Sequence, residues 1–511
     1  MPEWVEPPLQ ISEWVWENLV IKYPGAFAEP SHARLFQELL FPMQRDEWNG
    51  DPVMSQARLA QLEGRVAKYK NHRYSGKQYL EGFEEQAGIK LRIEEANWLA
   101  GRARTVGYDL PDTFERMMKD EWLRLEHTTM VDFVTGREIP PERNLQAQAA
   151  RRKAQRQYMP EPGHNQEPIV FLNQMRPQSF EKFDYYLQNT AVDIADSIEA
   201  TARRGANMRL LLVLRQRGIQ PFYQDVLRSP RIYTTGPSMS QLSSNVRDEL
   251  MTTALHFDLV AAQLAIIAKL WHLPTIETLL RDHLTIGSIW PTVLRLVGLD
   301  DRDKDGFKRV VYATAYGMTR HGLYGMARHW LDLEGLQVQR LMNTPFMREL
   351  LRGRDGRLAQ LRQEGGIVDA FNTGVRMTDR LPGSRNRHHA ENSLLAHEAQ
   401  SYERMLMQPV LDLAMKTNEF RIVLWLHDGV YASVTQRGRE GRYLKQLVAE
   451  VDARAQELGF ATRLEAKKLE PNVRRTEAPG LEEEKGEEAL RAPESIGTAV
   501  KSVEAVLDEV I

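Results

Sequence analysis

Two aspartates set the chemistry this sequence can do. LHFDLV at 255–260 is a short apolar run interrupted by one carboxylate, Asp258, and the AAQLAIIAKLW that follows has helical spacing. Far downstream, RIVLWL at 421–426 reads as an apolar strand. His427, Asp428 and Gly429 then supply turn residues, and VYASV at 430–434 resumes the strand pattern. A carboxylate beside so apolar a run is costly unless it is paired or binds a metal. Two of them, brought together from different strands, could bridge divalent ions about 4 Å apart, the arrangement that phosphoryl transfer to a hydroxyl requires. The chain has no cysteine, which excludes thiolate zinc sites, iron–sulfur clusters, disulfides and a cysteine nucleophile. Any metal must therefore sit on oxygen or imidazole.

The segment between the aspartates sharpens that reading. DKDGFKRVVYATAYGM at 303–318 places Lys304, Lys308, Tyr312 and Tyr316 at a spacing of four, on nearly one helical face, with Gly317 directly after. Cations one turn apart can grip a triphosphate, and the tyrosines offer a flat surface to a base. Any half-exposed helix tolerates the same spacing, so the stretch gains meaning only beside Asp258 and Asp428.

Taken together these residues resemble the family A DNA polymerases. HFDLVAAQLAI is similar to the family's motif A, K-xxx-K-xxx-Y-xxx-YG to its fingers helix (motif B), and WLHDGVYASV to its motif C. Further matches fall in the same order. YTTGPSMSQLSS at 233–244 resembles the T-x-G-R segment and the glutamine stretch after it, RDHLT at 281–285 the D-x-H before the fingers helix, and NSLLAHEAQSYE at 392–403 the helix before motif C. The likeness covers roughly 230–440.

The resemblance implies roles residue by residue. Asp258 and Asp428 would bind two magnesium ions, for which manganese could substitute, with the Leu259 backbone carbonyl as a further ligand. Lys308 would hold the triphosphate with His283 and Lys304, the latter standing where the family has Arg. Tyr312 would stack near the base and sugar, and Tyr316 would guard the template and sugar side of the pocket. His427 would touch the primer terminus, and Thr235, Gln241 and Asn392 would line the minor groove of the duplex. Some positions depart from the family. Gln263 replaces the Glu that closes off the ribose 2′-hydroxyl; it keeps the bulk and can still bond Tyr316, so a preference for dNTPs is expected, even if weakened. Pro237 replaces the Arg of T-x-G-R, Gly429 the second carboxylate of motif C, and Ala396 a glutamine of the preceding helix.

The elements that must position these groups imply an α+β, mostly helical chain with the right-hand fold. Its palm would hold an antiparallel sheet, its fingers would be helical and its thumb reduced. Residues 1–140 read as a helical N-terminal domain with a DNA-handling or partner-binding role, poor in the D-x-E patterns of a proofreading exonuclease. Residues 141–232 would be thumb-like, 233–274 palm with motif A, 275–380 fingers, and 381–473 palm with motif C. An acidic linker at 474–494 precedes an expected C-terminal amphipathic helix at 495–511, which would dock on a replisome protein or back on its own domain.

Net charge is only −3, so a nucleic-acid partner must be met by clustered cations. Arg58, Arg65, Lys68, Lys70, Arg73 and Lys77 with Tyr69 and Tyr74, and then Arg143, Arg151, Arg152, Lys153 and Arg156, are the candidates, although a solvated helix face explains them equally well. MPEWVEPPLQ lacks the features of a secretory signal, and no run of about 18 apolar residues suggests a membrane span, so a cytoplasmic location is expected. The charged, cysteine-free texture is compatible with a thermophile, and the compact, divergent motifs with a phage or plasmid source. The expected partners are primer-template DNA and dNTPs. Two other readings compete: a single-subunit RNA polymerase or primase, which the K-R-x-V-x-x-x-A-Y-G wording at 308–317 suggests and Gln263 opposes, and a non-catalytic replication initiator.

Overall fold

Strict alternation builds the sheet at the centre of the molecule. In Leu255–Leu259 the odd positions are buried, while His256 and Asp258 are partly open, which puts apolar side chains on one face and polar ones on the other. This strand lies inside a four-stranded antiparallel sheet, in the order Phe420–Trp425, Gly429–Val434, Leu255–Leu259, Leu464–Lys468. Gly429 stands opposite Asp258 on one side and Glu465 opposite it on the other. A register shift between Ile422 and Leu424 breaks the alternation of the first strand. Ile422 and Trp425 consequently join one core, while Val423, Leu424 and Leu426 join another.

The computed structural model describes residues 9–41, 53–64, 76–96, 103–108, 129–175, 204–226, 229–252, 254–284, 287–380, 387–436 and 438–469. Arg65, Lys68, Tyr69, Lys70, Arg73 and Tyr74, the acidic stretch 474–494 and the segment 495–511 lie outside them. Among the described residues no helix is long and apolar enough to cross a membrane.

One core gathers the apolar face of the sheet, with Phe257, Phe420 and Val430, against the helices that follow it in the sequence. The Lys304–Ala315 helix buries Phe307, Val310, Val311, Thr314 and Ala315 and packs on Ala262–Leu270, Trp290–Val297, Arg320–Leu331 and Pro345–Glu364. Gly306 permits the crossing with Arg320–Leu331, because a Cβ there would stand 2.3 Å from the Trp330 carbonyl oxygen. The 20-residue helix Arg387–Leu406 runs against Ala262–Leu270.

The other core joins the sheet, through Leu424 and Tyr431, to the N-terminal residues and to Leu211, Leu212 and Leu214 of the Arg204–Arg217 helix. The described N-terminal residues hold the helices Glu13–Lys22, Pro30–Leu40, Gln56–Leu62 and Lys77–Ala87, and short strands beside them. Gln10–Ser12 pairs with Met130–Asp132, and Val53–Ser55, Ala103–Tyr108 and Leu91–Ala96 form a three-stranded sheet. These strands are three to six residues long, too short for a period of two to stand out against neighbouring helices such as Glu13–Lys22 and Pro30–Leu40. The 141–232 span is helical at Pro141–Gln157, Gln166–Asn173 and Arg204–Arg217 and ends in a small hairpin, Tyr223–Asp225 with Ile232–Thr234.

Candidate active site

Strand register alone brings the two aspartates together. The Leu259 N–H donates to the Asp428 carbonyl at 2.9 Å, and the next residue, Gly429, faces Asp258. Burial first, then the charges of Asp428 and Glu465, push the Asp258 carboxyl well above the usual carboxylate range, against the pull of Arg247 and Lys308. Gly429 has a steric reason: a Cβ there would lie 2.9 Å from the Phe257 carbonyl oxygen and 3.2 Å from Asp258 Oδ1. Among the described residues no group of three or more His, Asp or Glu side chains forms a ready metal cage. What the strand ends offer is an all-oxygen donor set: Asp258, Asp428 and the backbone at Leu259.

The Lys304–Ala315 helix brings Lys308 and Tyr312 within electrostatic reach of these carboxylates. Lys308 is buried, with Nζ 5.2 Å from the centre of the Trp290 ring. Burial, and then Lys304, bring its ammonium down to about 8, opposed by Asp305, Asp258 and Asp428. The Tyr312 ring meets Trp290 edge-on at 6.1 Å. Its hydroxyl is held far above the usual range by burial, and then by Asp428, Tyr316, Asp258 and Glu403. Tyr316 is buried just past the helix, its hydroxyl likewise raised by burial, and among the described residues Tyr316 Oη has no hydrogen-bond partner. Asp258, Asp428, Lys308, Tyr312 and Tyr316 thus share one electrostatic neighbourhood.

Gln263 occupies the first turn of the helix after Asp258 but does not bond Tyr316, as the sequence suggested. Its Nε2 donates to Glu403 Oε2 instead. Arg231 grips the same carboxylate with Nε at 3.0 Å and Nη2 at 3.1 Å. Glu403 is pushed up to about 7, by burial first; Arg231 opposes the rise, Asp428 adds to it, and the bonds from Gln263 and Arg231 oppose it. A carboxylate that accepts from both partners outcompetes a tyrosine hydroxyl for the amide.

The other expected site residues divide. His427 lies edge-on to Tyr233, 4.9 Å between ring centres, and burial followed by Arg231 keeps its imidazole neutral. The Thr235 N–H closes the small hairpin onto the Phe222 carbonyl at 2.7 Å. Gln241 Oε1 accepts the Ser238 N–H at 3.2 Å in a capping box, so its amide serves the turn. Asn392 braces the end of the lysine–tyrosine helix: its amide nitrogen donates to the carbonyls of Gly317 at 3.1 Å and His388 at 3.2 Å. His283 ends the Pro274–His283 helix, and no hydrogen bond among the described residues joins it to Lys308.

Sequence reasoning missed Glu403, Arg231, Trp290 and Glu465. Glu403 carried a signal, since it follows Asn392 by three helical turns and so shares its face. Arg231 and Trp290 carried none; only tertiary packing brings them in. The sequence matches no protein-family model, and no curated protein is similar to it. Among solved structures the chain is similar to the POL domain of Pol1 from M. smegmatis in complex with DNA primer-template and dNTP, at 14% identity. That likeness has a TM-score of 0.40 and covers 85% of this chain and 80% of that one.

Proposed function

We propose that this chain is a DNA-dependent DNA polymerase of the family A type, extending a primer 3′-hydroxyl with dNTPs and lacking a proofreading exonuclease. The observation that carries this reading is the register of Asp258 against Gly429, which seats two aspartates side by side in front of Lys308, Tyr312 and Tyr316. In the proposed right hand, the four-stranded sheet is the palm floor and the Lys304–Ala315 helix the fingers wall.

The donor chemistry fits magnesium. Hard divalent cations take oxygen ligands, and the mutual repulsion that raises Asp258 is what such a cation neutralises. Asp258, Asp428 and the Leu259 carbonyl would hold it. When bound, two such ions lower the pKa of the attacking hydroxyl and neutralise charge on the leaving pyrophosphate. The chain's own residues do the rest. Lys308 and Lys304 bind and orient the triphosphate, and Lys308 Nζ, held near 8, carries a proton it can hand to the departing pyrophosphate at neutral pH. Tyr312 and Trp290 wall the pocket against water, and Gln263 and Tyr316 border the sugar and base. His427, neutral beside Tyr233, can donate one hydrogen bond to a primer terminus without adding charge.

Extension of a primed DNA template in Mg²⁺, supplied with dNTPs or with NTPs, tests this. Incorporation of dNTPs from the primer is expected. Incorporation of NTPs alone, or synthesis that needs no primer, would replace it with the RNA polymerase or primase reading. DNA binding without synthesis would favour a non-catalytic initiator.

A further inference from the structure

Trp290 has a second task beside walling the pocket. Its indole is 4% exposed, starts the Trp290–Val297 helix, and belongs to the same buried core as Val293 and Leu294. That helix packs on Lys304–Ala315. Two residues one turn apart on the latter use the ring differently: Lys308 Nζ stands over its face, 5.2 Å from the centre, and Tyr312 meets it edge-on at 6.1 Å. The core and Tyr312 fix the ring, and the fixed ring offers its negative face to the ammonium.

Lys308 has acids in reach and pairs with none of them. The side chain is 7% exposed, and among the described residues its ammonium makes no hydrogen bond and no ion pair. Yet the charges of Asp305, Asp258 and Asp428 all act on it, and its own charge acts on Asp258. An ammonium on a long flexible stem is expected to close on such carboxylates, because a buried charge left unpaired is costly. Closure would harm the site twice. It would fill oxygen lone pairs that a divalent cation needs, and it would hide the ammonium from a triphosphate. An indole face attracts a cation without accepting a hydrogen bond from it, so it can hold the ammonium and still yield it to a stronger partner.

We infer that Trp290 is a positioning residue: its ring parks the Lys308 ammonium away from Asp258 and Asp428 until a triphosphate arrives, which keeps the carboxylates open to divalent cations. This rests on the polymerase reading.

Mn²⁺ binding to the full-length protein, followed by the paramagnetic resonance of the free ion and without DNA or nucleotide, reads the carboxylates themselves. Trp290→Leu keeps apolar bulk and removes the ring face. It is expected to weaken Mn²⁺ binding about tenfold, as Lys308 closes on the aspartates. Trp290→Phe, which keeps a ring, is expected to stay within about threefold of the wild type. In Lys308→Met there is no ammonium to park, so adding Trp290→Leu to it is expected to change nothing. The affinity of a dNTP on a chain-terminated primer-template should follow the same pattern: about tenfold weaker in Trp290→Leu, with no further loss when that change is added to Lys308→Met. A ring needed only for packing would carry its loss into the Lys308→Met background. That result, or Mn²⁺ binding unmoved in Trp290→Leu, overturns the inference while leaving polymerase activity standing. Should Trp290→Leu not fold, judged by its melting transition, Trp290→Met repeats the cycle with a longer apolar chain. A wild-type protein that binds no Mn²⁺ and extends no primer overturns the polymerase reading, and this inference with it.

Discussion

At the scale of single residues, two groups report on the site without any ligand. Lys308 titrates near 8 in the folded chain against an ordinary value of 10.5. The unfolded chain therefore binds more protons between those values, so the ligand-free protein should gain stability as pH rises from about 8 to 10.5. Triphosphate binding needs the charged ammonium and should weaken through the same window. Opposite pH trends of melting temperature and dNTP affinity, both lost in Lys308→Met, are the expected outcome; parallel trends would remove Lys308 from the phosphate site. Gly429→Ala is expected to lower extension at least tenfold, because the added Cβ meets both the Phe257 carbonyl and Asp258 Oδ1. A normal extension rate would show that the carboxylates have slack which the register does not suggest.

At the scale of elements, the lysine–tyrosine helix ends on a left-handed glycine, Gly317, with φ +82°. A side chain there costs about 1–2 kcal/mol in backbone strain alone, and its Cβ would also strike the Asn392 amide at 2.3 Å. Gly317→Ala is expected to lower the urea midpoint and, by shifting Tyr316, to raise the KM for dNTPs; an unchanged midpoint would mean that Asn392 yields freely. This is also where the sequence was legible and where it was not. The strand ends holding Asp258 and Asp428, and the face of Lys304, Lys308 and Tyr312, follow from local periodicity, because one element fixes each spacing. The partner of Gln263 was not legible: Glu403 and Tyr316 both stand as partners for one amide, and only the packing of Arg387–Leu406 on Ala262–Leu270 decides it. Nor were the N-terminal strands, each so short that its pairing partner and not its own pattern makes it a strand.

At the scale of the whole molecule, a net charge of −3 gives no general attraction to DNA, so local cations must supply it. The Pro141–Gln157 helix exposes Arg152, Lys153 and Arg156 side by side, while Arg151 is half-buried, its guanidinium lowered to about 10 by burial. Replacing the three exposed cations with Gln should flatten the salt dependence of duplex binding by about one unit of slope for each phosphate left without a cation. An unaltered slope would return the helix to the status of a solvated face. Because the N-terminal core packs, through Leu424 and Tyr431, on the two strands that flank Asp428, the two regions should unfold together in one transition.

The most direct test remains primer extension by Asp258→Asn and Asp428→Asn beside the wild type, at matched occupancy of the same primer-template in Mg²⁺. Both variants should bind DNA as the wild type does and lose at least about 10³-fold in extension rate. If either variant extends the primer at the wild-type rate, two neighbouring carboxylates are not the catalytic centre of this protein.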